Sequence, residues 1–339
     1  MFFYRTDERA DPFHRIYADP RWLFPLERPP LAFPLILDVE VTNRCNLDCL
    51  FCSRELMDRG EGDMATETWR CLVDEAAAHG AAVRLNGWGE PLMHPRVVDF
   101  IRYASDRGVA SKIYTNGTPL TREKMRGLIH AGLAELQFSM QGLTGERYEV
   151  FRSPAGFARF RDRVALAAAA RAEAGSDRPF LGLLTSVDAA DLRSADPEAF
   201  ARDWLALVDK VAIDQTLYTY VAGTGRAQAH LADQLAAPAH VPCVDIALKL
   251  AIHWGGEIVM CGRDYDAHPY YTLGRVGRDT IQDAWRSPRL RRHRELVGRD
   301  CQHDRFPLCR DCYPTTTKYE HLKAPERPTG QGVGPDALP

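Results

Sequence analysis

The sequence lacks several things that would assign it to a large class at once. It has no run of about 18 apolar residues, so no membrane-spanning helix is expected. It opens MFFYRTDERADPFHR, with acids and bases mixed and no apolar core of a signal peptide, so a cytoplasmic location is expected. Charge of either sign is not in excess. Lys and Arg number 43 against 46 Asp and Glu, a net −3, which argues against a chiefly electrostatic partnership with nucleic acid. No G-x-G-x-x-G follows the first predicted strand, which argues against a dinucleotide-binding Rossmann fold. No internal repeat is present. What remains is ordinary: 339 residues, 45% hydrophobic and 26% charged, long enough for roughly two globular domains.

The cysteines are not ordinary. Nine occur, at 45, 49, 52, 71, 243, 261, 301, 309 and 312. In a reducing compartment such clusters read as metal ligands rather than disulfides. Cys45, Cys49 and Cys52 form C-x₃-C-x₂-C within TNRCNLDCLFCS. A structural zinc site wants four ligands, whereas three leave one corner of a metal centre open for chemistry.

Residues 1–33 show no steady period and read as a wrapping N-terminal arm, with order beginning at PLILDVEVT (34–42), a buried-strand pattern. Strand and helix patterns then alternate. Helices are predicted over 66–80, with Thr66 as N-cap and Gly80 as stop, and over 96–108, 121–132, 157–175 and 197–208. Strands are predicted over 109–117, 133–142, 178–186 and 209–216. About six strand–helix steps imply parallel strands and a partial (β/α)6 TIM-like barrel over 34–222. The polar signals fall at strand C-terminal ends, where α/β barrels work. From 223 to 320 the pattern changes to a small, cysteine-rich α+β unit. It has a hairpin turning at Gly255-Gly256, a helix interrupted near Pro288, and a cysteine-bearing loop. The Pro/Gly-rich tail 321–339 is expected to be disordered.

At Cys45, Cys49 and Cys52, with aromatic Phe51 before the last, the chain resembles the radical S-adenosylmethionine (SAM) enzymes. Further landmarks follow in order: Trp88-Gly89-Glu90-Pro91 for the family's GGEP, with Trp88 in place of a glycine, then Thr115-Asn116-Gly117, then Ser139 to Gly142 as S-x-Q-G, then Tyr148 and Arg152. The resemblance implies a [4Fe–4S] cluster on the three cysteines, with SAM on its open iron. One electron then cleaves SAM to a 5′-deoxyadenosyl radical that abstracts hydrogen from substrate. It implies SAM contacts from Trp88, Gly89, Glu90, Pro91, Thr115, Asn116, Ser139, Gln141 and Arg152, the arginine pairing with a carboxylate. An external one-electron reductant, such as flavodoxin or ferredoxin, is also implied.

Cys243, Cys261, Cys309 and Cys312 supply four thiolates, enough to close a second [4Fe–4S] cube. Their layout resembles the twitch/SPASM-type auxiliary domain that follows some radical SAM barrels. Zinc remains an alternative for these four. Asp264 and Tyr265 follow Cys261 closely. Asp264 could take a proton from a substrate hydroxyl, or could cap the hairpin end. Cys301 is open between spare ligand, hydrogen donor, substrate contact, redox bystander and packed thiol. Cys71, His79 and His94 read as surface or packing residues, and RLRRHREL as a solvated helix face.

Within the family, peptide maturases often carry an additional N-terminal recognition domain, and 33 residues are too few for one. The expected function is therefore oxidation of an alcohol to a ketone in a carbohydrate-like molecule such as an aminocyclitol, aminoglycoside or sugar nucleotide of antibiotic biosynthesis. In that reaction the auxiliary cluster is the electron acceptor. Epimerisation with Cys301 as donor, decarboxylation or dehydration of a sugar derivative, peptide maturation, and a non-enzymatic metal-stabilised interaction protein are the alternatives.

Overall fold

The computed structural model describes residues 2–6, 9–17, 30–152, 156–187, 189–214, 243–310 and 312. The boundary expected at 222/223, the end of the strand expected over 209–216, and the tail 321–339 lie outside them.

Six parallel strands, β2 (Ile36–Val39), β3 (Ala82–Leu85), β4 (Ser111–Thr115), β5 (Glu135–Gln141), β6 (Phe180–Ser186) and β7 (Lys210–Asp214), stand side by side in chain order. This is the expected partial barrel. Helices α1 (Thr66–His79), α2 (Val97–Asp106), α3 (Arg122–His130), α4 (Gly145–Phe151), α5 (Phe157–Glu173) and α6 (Pro197–Leu205) lie between strands. Their boundaries follow local chemistry. Gly80 ends α1 in the left-handed conformation (φ 68), and Thr121 caps α3 by accepting the Lys124 N–H at 3.1 Å. Thr66 is not the N-cap of α1; it is the first helical residue, and Ala65 takes the cap position with no side-chain bond.

The strands have two unlike faces, because successive side chains point to opposite sides. Leu37, Val39, Val83, Leu85, Ile113 and Phe138 join the core packed under the helices, with Trp69 stacked on Phe100. The opposite, inward face is polar. At its N-terminal end Asp38, Arg84, Lys112 and Glu135 stand in register on consecutive strands. Lys112 meets Glu135 at 2.7 Å, and Lys210 meets Asp11 at 2.6 Å. These charges are buried but paired, as burial requires.

Two features differ from expectation. Order begins before residue 34: β1 (Phe2–Arg5) pairs antiparallel with β7 as part of the sheet, and Phe13 is fully buried. The cysteine-rich segment also continues that sheet. Strand β8 (Lys249–Ile252) pairs in parallel with β2, and β9 (Glu257–Val259) and β10 (Thr272–Arg275) extend it antiparallel, giving a sheet of ten strands among the described residues. The β8–β9 hairpin turns at Gly255-Gly256 as expected, with Gly256 at φ 91. The interrupted helix is α7 (Ile281–Arg286) and α8 (Pro288–His293), broken at Ser287, which caps α8 by accepting the Leu290 N–H. No helix among the described residues is long and apolar enough to cross a membrane.

Candidate active site

The three N-terminal cysteines leave the end of β2 in a loop pinned on both sides. Asn43 accepts the Gly62 N–H at 2.8 Å, and the Leu50 N–H donates to the Phe151 carbonyl at 3.0 Å. Burial pushes the Cys52 thiol up to about 12 and raises Cys45 and Cys49. As protonated thiols they avoid an unpaired buried charge, and a cluster iron would take the place of those protons. Asn116 Nδ2 lies 3.9 Å from Cys45 Sγ, and Arg152 lies over the Phe51 ring at 5.5 Å. Thiols, a shielding aromatic and a nearby cation fit an iron–sulfur cluster.

The turn after β3 is built for close approach. A Cβ on Gly89 would stand 2.1 Å from the Thr42 carbonyl oxygen, and one on Gly87 2.6 Å from Glu40 Cβ. Trp88, where the family motif has glycine, is tolerated because its side chain leaves the turn and meets Tyr265 edge-on at 5.9 Å. Glu90 is fully committed to the protein. It accepts from the Leu92 N–H (3.0 Å), Thr115 Oγ1 (2.8 Å) and the Asn116 N–H (2.7 Å), and burial raises its pKa. It therefore locks the Trp88–Pro91 turn to the end of β4. Gln141 and Arg152 are hydrogen-bonded to each other and buried, while Ser139 is half-buried on the inward face of β5.

On the C-terminal side, Cys243, Cys261, Cys309 and Cys312 lie close enough for their charges to bear on one another. Burial raises Cys243 and Cys309 and pushes Cys261 to about 11. Cys309 Sγ lies 3.7 Å from His293 Nε2, and Cys261 Sγ accepts the Arg263 N–H at 3.5 Å. Among the described residues, no three or more His, Cys, Asp or Glu side chains converge as closely as one metal ion needs. Cys301 is half-buried at φ 53, left-handed and unusual for a non-glycine. Cys71 is exposed, His79 stacks on Phe33, and His94 is buried, bonded to the Met64 carbonyl.

Asp264 lies at this junction, 3% exposed. Its Oδ1 accepts the His268 N–H at 3.1 Å, and its Oδ2 has no hydrogen-bond partner. Burial raises its pKa. The capping reading therefore accounts for one oxygen and not the other.

Sequence reasoning missed three residues here. Glu40, at the end of β2, pairs with Arg59 through both oxygens (2.5 and 2.6 Å) and accepts the N–H groups of Trp88 and Trp254. Arg59 also bonds the Tyr265 carbonyl, so the pair ties the cysteine loop, the Trp88 turn and the β8–β9 hairpin together. His253, at the end of β8, is 2% exposed, with its ring between Glu40 and the Asp264 backbone. Glu40 was legible in DVEVT, whose alternation turns Asp38 and Glu40 inward. Arg59 and His253 carried no local signal.

This arrangement defines a class: a SAM-dependent iron–sulfur protein built on a partial α/β barrel. Two family models match the chain, the radical SAM superfamily over 39–186 and an iron–sulfur cluster-binding SPASM domain over 243–313. The chain belongs to the radical SAM superfamily and carries a SPASM domain; its cofactors are SAM and [4Fe–4S] clusters. It is 26% identical over 313 residues to a tungsten-containing aldehyde ferredoxin oxidoreductase cofactor-modifying protein of Pyrococcus furiosus, covering 81% of this chain and 86% of that one. It is 36% identical over 113 residues to a PqqA peptide cyclase of Rhodopseudomonas palustris, covering 33% of this chain and 30% of the relative. Among solved structures, BtrN in complex with AdoMet and 2-DOIA superposes with a TM-score of 0.56 at 17% identity, covering 83% and 93% of the two chains. SuiB of Streptococcus suis gives 0.58 at 15% identity, covering 87% and 75%.

Proposed function

We propose that this radical SAM enzyme oxidises an alcohol to a ketone in a carbohydrate-like small molecule. The observation that carries the reading is the inward strand face above the charged row. Tyr114, Gln137, Ser139, Ser186 and Asp214 occupy it, with Tyr114 opposite Gln137 and Ser186 opposite Asp214 in register. Hydroxyl, amide and carboxyl groups at such positions suit a substrate dense in hydroxyl or amino groups, because each polar group taken from water must find a partner.

Cys45, Cys49 and Cys52 would hold the SAM-binding cluster, and Cys243, Cys261, Cys309 and Cys312 the auxiliary one. When bound, these groups supply the one-electron chemistry, hydrogen abstraction at the first site and an electron acceptor at the second. The chain's own residues do the rest. Gly89 lets the Trp88–Pro91 turn close on the cysteine loop, Glu90 fixes that turn, and Arg152 offers its cation to a carboxylate. The free Oδ2 of Asp264 accepts the hydroxyl proton as the neighbouring carbon is oxidised. An epimerase is the second reading, with the half-buried Cys301 as the candidate hydrogen donor.

The test is turnover of an aminocyclitol and sugar-nucleotide panel in deuterated water, with reconstituted enzyme, SAM and reductant. A product short of two hydrogens, with no solvent deuterium on carbon, supports oxidation. Solvent deuterium on carbon, lost in Cys301→Ala, replaces it with epimerisation. Turnover of a precursor peptide alone removes the carbohydrate reading. Iron analysis accompanies it: about eight irons per chain, falling to about four in Cys45/Cys49/Cys52→Ala, is expected for two cubes.

A further inference from the structure

We propose that the arginine-rich surface of α8 and the 294–310 segment docks an acidic one-electron carrier protein, a flavodoxin or ferredoxin, beside the auxiliary cysteine site. This rests on that site taking an electron from substrate.

The charge is local. Between Arg286 and Arg310 the sequence has eight arginines against three acidic residues, an excess of five positive charges in a chain whose total is −3. Arg286, Arg291, Arg292, Arg299 and Arg305 are all exposed. Two of them have acidic neighbours, Arg292 with Glu295 at 3.1 Å and Arg299 with Asp300 at 3.8 Å. Such exposed pairs are weak, of order 1 kcal/mol or less, and leave the outward field positive.

The place matters as much as the sign. Helix α8 presents Arg291 and Arg292 to solvent, while the next residue, His293, is 2% exposed and has Nε2 3.7 Å from Cys309 Sγ. Phe306 packs on His293 at 4.5 Å between ring centroids, and Tyr270 stacks on Phe306 at 5.4 Å. The exposed arginines and the histidine that meets Cys309 thus lie on one helix, whose diameter with side chains is about 10 Å.

The electron balance calls for such a partner. Each turnover takes one electron from a carrier when SAM is cleaved. An alcohol oxidation then releases two electrons and two protons from the substrate. One electron and one proton leave as the abstracted hydrogen atom, the second proton goes to Asp264, and the second electron must go to an acceptor. A reversible carrier serves as both donor and acceptor. Flavodoxins and plant-type ferredoxins are acidic, so an arginine surface steers them and sets their orientation. Nucleic acid is also anionic, but the patch spans one short helix and its flanking loop on an otherwise acidic chain.

The experiment is titration of the reconstituted holoenzyme with a flavodoxin, read by calorimetry at low and high salt. Tight binding at low salt that weakens steeply with added salt is expected. Arg291→Glu with Arg292→Glu should weaken it about ten-fold or more. Arg202→Glu, at an exposed position of α6 toward the other edge of the sheet, should leave it unchanged. Circular dichroism on the double variant checks that α8 still folds. Equal affinity for wild type and the double variant overturns the proposal, as does preference for a single-stranded RNA probe over the flavodoxin. If product carbon acquires solvent deuterium while flavodoxin binding still depends on Arg291 and Arg292, the oxidation reading fails and the docking surface stands.

Discussion

Gly89→Ala is the smallest change that tests the geometry of the active site. The added methyl would meet the Thr42 carbonyl oxygen at 2.1 Å, the Thr42 carbonyl carbon at 2.7 Å and Asn43 Cα at 2.8 Å. All three are backbone atoms of the segment that leads into Cys45, so no side-chain rotation relieves the contact. To restore ordinary separation the turn must withdraw by about 1 Å. Overpacking of this kind costs about 1–3 kcal/mol of stability. A displacement of about 1 Å at a reacting centre costs about 10²-fold in turnover. Trp88→Ala is the control one residue earlier. It removes the edge-on contact with Tyr265, of order 0.5–1.5 kcal/mol, without forcing the backbone to move. Urea denaturation and equilibrium dialysis of SAM against reconstituted protein measure both effects. Gly89→Ala should lose stability and SAM affinity together, and more of each than Trp88→Ala. A Gly89→Ala protein with wild-type unfolding midpoint and wild-type SAM affinity would refute the close approach.

Other substitutions probe other parts of the frame. Glu90→Gln sets an amide against a wall of donors and should cost about 1–3 kcal/mol in chemical denaturation, with weaker SAM binding. Asp209→Ala removes the buried partner of Arg171 and Arg9 and of the Leu181 N–H, and should cost about 3–5 kcal/mol. Asp209 lies at the N-terminal end of β7, away from the cysteines, so SAM affinity in the folded fraction should be unchanged. His253 is held below the ordinary histidine pKa, chiefly by burial, with Glu40 opposing. The unfolded chain therefore takes up a proton that the folded one refuses, and stability falls as pH drops through about 6.5. His253→Leu should flatten that fall by up to ~1.4 kcal/mol per pH unit, read from unfolding midpoints across pH 5 to 8. A variant with the same pH slope as wild type contradicts this account of His253.

The local chemistry was legible because it is written in short spacings. C-x₃-C-x₂-C with Phe51 carried the family resemblance, and six alternations of strand and helix pattern announced the partial barrel. Gly80 stopped α1, Thr121 capped α3, Ser287 and Pro288 broke the last helix, and Gly255-Gly256 turned the hairpin. Each rests on backbone preferences confined to a few neighbouring residues. The cap at Thr66 failed because a threonine is as acceptable inside the first turn as before it. The choice between the two depends on where the chain enters, not on the residue.

Tertiary structure decided what sequence separation hides. Phe2–Arg5 became a strand because β7 offered an unpaired edge some two hundred residues away. The hairpin read as part of a separate unit joined the barrel sheet because β8 found the free edge of β2. That pairing brought His253 beside Glu40, and Glu40 to Arg59 and the Trp88 turn. No spacing rule links residues 40, 59, 88, 253 and 264. Hydrogen bonding along a sheet edge and the burial of paired charge put them together, and both depend on the whole fold rather than on any stretch of it.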